Sequence, residues 1–242
     1  MIVVDFKVVA VAAVKGGVGK STVSLNLALE LKERGLRVGI LDADVDSPYL
    51  VEMGGVRGKI GLDMHRRMVP VQRDGIPIMS FGLWSPEGFG GASMEGDMHR
   101  QWIWDALEHT AWGPLDVLVI DLPAGSGDEL LVLKKIPVED FLGIVAVGLS
   151  NLGSSLQRLY NVASYHKFPI LGVIENMAGP VFGTGRVEGF CRETGLRFSG
   201  SIPMDARIRA AHENGDPRLP LDARAAIEAV AVSVIEEGKL GG

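Results

Sequence analysis

Two lysines, three glycines, a serine and a threonine fall within nine residues, Val14-Lys15-Gly16-Gly17-Val18-Gly19-Lys20-Ser21-Thr22. Glycines let successive backbone N–H groups curl round an anion, and a helix N-terminus adds unpaired donors and a positive dipole end. Gly16, Gly17, Val18, Gly19, Lys20 and Ser21 are therefore expected to cradle phosphates. Lys20 supplies charge to the β- and γ-phosphates, and the Ser21 hydroxyl is the expected Mg²⁺ ligand. The strict G-x-x-x-x-G-K-[ST] pattern fails at its first position, which holds Val14, and a second lysine, Lys15, lies inside the loop.

Two acidic turns offer the remaining chemistry. Leu41-Asp42-Ala43-Asp44-Val45-Asp46-Ser47-Pro48 follows an apolar run, and alternation on a strand lets Asp42 and Asp44 reach a common side. Val117-Leu118-Val119-Ile120-Asp121 delivers one aspartate to the turn Pro123-Ala124-Gly125-Ser126-Gly127. Asp121 is expected to orient the water shell of Mg²⁺, and the Gly125–Gly127 turn to sense a γ-phosphate. Ser21, Asp44 and Asp121 make a magnesium-type oxygen set rather than a zinc site. The five histidines show no ligand spacing and read as structural or surface residues.

Apolar runs of five to eight residues alternate with amphipathic stretches, the βαβ pattern of a parallel sheet covered on both faces. Expected strands are 8–14, 37–41, 76–80, 115–120, 141–148, 170–174 and 197–201. Expected helices are 20–34, 98–111, 128–135, 152–166, 187–194, 204–213 and 221–237, with Gly35 and Gly195 as C-caps. The fold class is a doubly wound, mainly parallel α/β sheet of the P-loop type, with residues 1–242 read as a single domain. The least regular parts are 44–75 and 82–97; the glycine-rich 82–97, carrying Trp84 and Phe89, suggests a partner or dimer surface.

The 242 residues are 47% hydrophobic, with a net charge of −6 and no block of like charges. A basic face for nucleic acid is missing from this composition, so no nucleic-acid partner is expected. No run approaches the ~20 apolar residues that span a bilayer. The 221–237 helix has an apolar stripe at Ile227, Val230, Ala231 and Val234 but an acidic polar face, so it is expected to pack on the sheet, not on a membrane. The single cysteine, Cys191, excludes an intrachain disulfide framework, and the chain reads as cytoplasmic.

The deviant loop, with its second lysine, resembles that of the ParA/MinD superfamily. Trp112-Gly-Pro-Leu-Asp-Val-Leu-Val-Ile-Asp-Leu-Pro-Ala-Gly-Ser-Gly-Asp128 is similar to the W-G-x-L-D-x-L-x-I-D-x-P-P-G-x-G-D stretch of the Mrp-type ATPases within it. Leu41-Asp-Ala-Asp-Val-Asp-Ser-Pro48, Gly172-Val-Ile-Glu-Asn-Met177 and Gly200-Ser-Ile-Pro-Met-Asp205 are similar to their L-D-A-D-I-x-G-P, G-V-x-E-N-M and G-x-I-P-x-D. The resemblance implies that Lys15 reaches the partner subunit's nucleotide, Asp44 positions the attacking water and Thr22 contacts phosphate. It implies that Asn176, Pro203 and Asp205 lie on the adenine side; on the residues alone, Asn176 reads as a strand-end cap.

The same resemblance implies an ATP- and Mg²⁺-dependent homodimer that hydrolyses ATP and serves assembly of an iron–sulfur or other metal-containing protein. The client is unnamed and could dock through 82–97. A positioning or partition ATPase of the ParA or MinD kind is the alternative, and a dinucleotide oxidoreductase lacks its G-x-G-x-x-G. The departures are specific. The C-x-x-C pair that commonly follows E-N-M is replaced by Ala178-Gly-Pro-Val-Phe-Gly-Thr-Gly-Arg186, which puts a bound iron–sulfur cluster in doubt. Cys191, later on a predicted helix, reads as a buried apolar residue.

Overall fold

The computed structural model describes residues 4–84, 96–125 and 128–241. In chain order the elements are β1 (Lys7–Ala12), α1 (Lys20–Glu33), β2 (Val38–Asp42), α2 (Tyr49–Met53), β3 (Gly61–Leu62), β4 (Met68–Val69), β5 (Val71–Arg73), β6 (Ile76–Ser80) and α3 (Gly96–Glu108). They continue with β7 (Val117–Asp121), β8 (Phe141–Gly148), α4 (Gly153–His166), β9 (Ile170–Ala178), α5 (Arg186–Thr194), β10 (Phe198–Pro203), α6 (Ala206–Glu213) and α7 (Ala225–Gly238).

The main sheet runs β10-β9-β8-β1-β7-β2-β6-β5, parallel throughout except for the antiparallel β5 edge. All seven expected strands are present in it. Strand alternation divides the core: Val9 and Val11 of β1 face one apolar cluster with α1 and α7, while Val8, Ala10 and Ala12 face the other with α3, α4 and α5. Helix α1 is buried on almost every side because α7 packs over its outer face. The expected stripe on α7, Ile227, Val230, Ala231 and Val234, is buried there. Among the described residues no helix is long and apolar enough to cross a membrane.

Three local expectations need correction. The stretch 44–75, expected to be among the least regular, holds α2, the β3–β4 hairpin and β5, each too short to show a period in sequence. Segment 128–135 forms 3-10 turns, not an α-helix. Leu130 and Leu133 within it and Ile136 just beyond it are buried three residues apart, which suits three residues per turn, and Val132 is buried with them. Strand β9 runs to Ala178, so Glu175 and Asn176 lie inside it and not beyond its end. Of 82–97, the residues 85–95 lie outside the described residues; Trp84, at the near end, packs edge-on against Trp102 at 6.2 Å. Gly35 (φ 92°) and Gly195 (φ 73°) follow α1 and end α5 in the left-handed conformation, as expected.

Candidate functional site

Because β1, β2 and β7 run parallel and adjacent, their C-terminal ends bring three chain segments to one sheet edge. The loop after β1 turns into α1 through Gly17 (φ 73°) and Gly19 (φ 91°), a backbone conformation that L side chains rarely adopt. A Cβ on Gly19 would also collide with the Asn176 amide nitrogen. That amide donates to the Val18 carbonyl at 2.8 Å, so β9 clamps the loop from below. Asn176 is therefore neither a strand-end cap nor a lining residue of the cleft in this structure: it holds the loop's shape.

The register of β2 on β7 sets Asp42 directly opposite Asp121. Both carboxyls are fully buried. Burial pushes Asp121 up to about 6, against the Ser21 hydroxyl, the Lys20 charge and the Ser24 hydroxyl, which donates at 2.9 Å. Asp42 is raised well above the carboxylate range by burial and then by Asp121, despite accepting from the Ser80 hydroxyl at 2.8 Å and the Asp44 N–H at 3.1 Å. Asp42 and Asp44 thus divide the work. Asp42 fixes the turn from within, and Asp44 lines the open cleft, where it also accepts from the Ser47 N–H at 2.9 Å.

That cleft, about 710 Å³, is lined by Gly16, Gly17, Gly19, Lys20, Ser21, Thr22 and Asp44 of the expected set, with Pro123 and Ala124 from the turn after β7. Lys20 is buried at the start of α1, whereas Lys15 is exposed and does not line the cleft. Val18 is buried and Asp121 lies under Ser21, neither of them on the cleft wall. Pro203 and Asp205 do not line it: Pro203 ends β10, and Asp205 caps α6 by accepting from the Arg207 N–H at 2.7 Å and pairs with the Arg207 guanidinium. The turn residues Ser126 and Gly127 lie outside the described residues.

The donors suit Mg²⁺ held together with a nucleotide. Ser21 and Asp44 present oxygens to the cleft, and Asp121 accepts from Ser21 behind them. Among the described residues no three His, Cys, Asp or Glu side chains form a metal site of their own. Cys191 is buried on α5, its thiol pushed up to about 11 by burial and then by Glu188, so it fits the apolar role and not that of a cluster ligand.

Two residues escaped the sequence reading. Glu175, one residue before the loop clamp, is a buried carboxylate that accepts from the Ser150 and Ser201 hydroxyls and from the Gly185 and Val187 N–H groups. It joins the ends of β8 and β10 to the start of α5. His212, read as structural or surface, lines the cleft. Glu175 stood in the quoted G-V-I-E-N-M, but its partners come from three other segments; no local signal marks His212.

A family model for the ParA-type NUBPL iron-transfer P-loop NTPases matches residues 6–237. An iron–sulfur cluster carrier protein of Methanocaldococcus jannaschii is 36% identical over 88% of this chain and 78% of its own length. One from Aquifex aeolicus is 35% identical over 87% of the chain, which spans 61% of that relative's length. Among solved structures, a nucleotide-binding protein in complex with ADP from Archaeoglobus fulgidus is similar with a TM-score of 0.72 and 31% identity, over 86% of each chain.

Proposed function

The chain belongs to the NUBPL iron-transfer P-loop NTPase family, and from that premise we propose a single-domain, Mg²⁺-dependent ATPase whose nucleotide state is read by a second copy of the chain. The observation that carries this is the division between the two loop lysines: Lys20 is buried beside Asp121 and lines the cleft, and Lys15 is exposed on the loop and does not line it. A lysine that faced only its own nucleotide would have little reason to stand outside the cleft.

The loop amides from Gly16 to Ser21 and the start of α1 bind the phosphates, and Lys20 draws the charge that gathers on the β/γ oxygens. Mg²⁺ bound with the nucleotide would neutralise further phosphate charge, held by Ser21 and, directly or through water, by Asp44 and Asp121. Asp44 orients a water for in-line attack on the γ-phosphate, and the partner's copy of Lys15 completes the charge around the transferred group. Thr22, next along α1, is placed for the α-phosphate. Asn176 serves by keeping the loop open to the phosphates.

The output is assembly of an iron–sulfur or other metal-containing protein, a reading supported by the family and by the carrier proteins it resembles. The chain's one cysteine is buried, so within these residues any cluster is cargo held with groups from elsewhere, and an ATP-driven action on the client fits this chain better than carriage by its own thiols. The Asp44→Ala variant should bind Mg-ATP without turning it over. Light scattering should then give twice the mass of the nucleotide-free chain; a strictly monomeric variant under saturating Mg-ATP would remove the dimer from the proposal.

A further inference from the structure

We infer that the β3–β4 hairpin is a docking arm for a partner protein, taking an extended acidic segment with interspersed apolar side chains along the open edge of β3. This names a surface for the client proposed above and rests on that reading for its purpose. Its geometry does not, since among the described residues none of 54–72 lines the nucleotide cleft.

The hairpin is fixed at its base and stiff at its tip. Met68 of β4 is buried; its N–H donates to the His109 carbonyl and its carbonyl accepts from the Ala111 N–H, both at 2.8 Å. At the turn the Asp63 N–H donates to the Arg67 carbonyl at 2.9 Å. The Asp63 carboxylate accepts from the His65 and Arg67 N–H groups and pairs with the Arg67 guanidinium. Arg66 is held there in the left-handed conformation, φ 61°, which glycine would adopt at less cost. This stiff arm presents apolar and cationic groups: Met64 is 90% exposed, Leu62 is 60% exposed, and Arg66 is exposed with them.

Leu62 also carries the open edge. It stands opposite Met68, and opposite residues of an antiparallel pair aim their backbone groups either at each other or both outward. Met68 aims outward, to 109–111, so Leu62 aims its N–H and C=O out along the other edge, where none of the described residues takes them. Ile60, two residues earlier, gives its N–H to the Leu83 carbonyl at 3.0 Å, so the edge is closed there and open at Leu62. An unpaired donor and acceptor on a strand edge suit an added strand of protein, which lipid tails cannot replace. Charge selects the strand. Residues 54–72 hold Arg57, Lys59, Arg66 and Arg67 against the single carboxylate of Asp63, in a chain whose net charge is −6. Asp63 is spent on Arg67, and the exposed Arg57, Lys59 and Arg66 have no ion-pair partner among the described residues. Carboxylates of an incoming strand meet these cations, and its apolar side chains cover Leu62 and Met64.

The test measures fluorescence anisotropy of a labelled peptide of alternating glutamate and valine with the full chain. Wild type should bind it saturably. The double variant Lys59→Glu, Arg66→Glu should bind it about tenfold more weakly and instead take the matching peptide of lysine and valine. An N-methylated acidic peptide, which keeps its charges but offers no N–H to the Leu62 carbonyl, should also bind about tenfold more weakly. Equal affinity of wild type for the acidic and basic peptides, or for the plain and N-methylated ones, would overturn the arm. So would binding to vesicles of phosphatidylglycerol and phosphatidylcholine, or self-association without nucleotide, if the double variant abolished it, because the occupant would then be lipid or a second copy. ATP hydrolysis is measured alongside. No peptide binding with hydrolysis intact would overturn the arm alone, whereas peptide binding by a chain that does not hydrolyse ATP would uphold the arm and overturn the ATPase reading.

Discussion

Replacing Lys20 by alanine is expected to lower the rate of ATP hydrolysis by about 10²–10³-fold, the loss that follows removal of one preorganised charge or donor from a dry site. Lys20 opens α1, is 8% exposed, and its ammonium offsets the buried Asp121. The position is therefore both a ligand for phosphate and the counter-charge for the carboxylate that backs Ser21. Without it, burial drives Asp121 further towards its protonated form, and the oxygen set that suits Mg²⁺ loses its rear member. The fold should survive, because a neutral Asp121 still accepts from Ser24 and the apolar contacts of α1 are untouched. Phosphate release by the purified variant, with circular dichroism to confirm the fold, checks both halves.

Glu175→Ala should be the most destabilising single change at the site, lowering unfolding free energy by about 3–5 kcal/mol. The carboxylate is 1% exposed and serves four donors from three segments, and its loss leaves the Ser150 hydroxyl and the Gly185 and Val187 N–H groups facing a void. Burial by itself would raise the Glu175 carboxyl, but the Ser150, Gly185, Ser201 and Val187 hydrogen bonds outweigh it and hold it below the ordinary glutamate value of 4.5. A native pKa below the unfolded one means that the stabilisation is complete above pH 4.5. It is lost as pH falls through the native value. Urea midpoints measured for wild type and Glu175→Ala at neutral pH and in acid should therefore converge as the pH drops. A constant gap would contradict the charge-based account.

The position of Glu175 also explains what could be read from the chain and what could not. The loop, the three strand ends and their sheet-edge meeting follow from local pattern: an apolar run, then glycines and Lys-Ser, or an apolar run, then aspartate. Periodicity likewise placed all seven strands of the parallel sheet and the stripe of α7. The failures are tertiary. Glu175 and Asn176 looked like residues after a strand because polar side chains interrupt an apolar run, yet the strand continues since each side chain finds a buried partner, 158 residues distant in the case of Asn176. Asp42 and Asp44 looked alike in sequence, and only the register opposite Asp121 and the hydroxyl of Ser80 set them apart. His212 enters the cleft because α6 packs beside α2, a contact with no local signature. The short elements between 49 and 73 are held by their surroundings, not by their own propensity.

The central claim is that Lys15 acts on the nucleotide of a second subunit. It is tested most directly by mixing two inactive proteins, Lys15→Ala and Asp44→Ala, and measuring phosphate release. In a mixed dimer the site of the Lys15→Ala chain keeps its own Asp44 and Lys20 and receives Lys15 from its neighbour, so one site is complete. The account predicts that an equal mixture reaches about a quarter of the wild-type rate, since random pairing places half the chains in mixed dimers with one working site each. A mixture no faster than the average of its two components would contradict it.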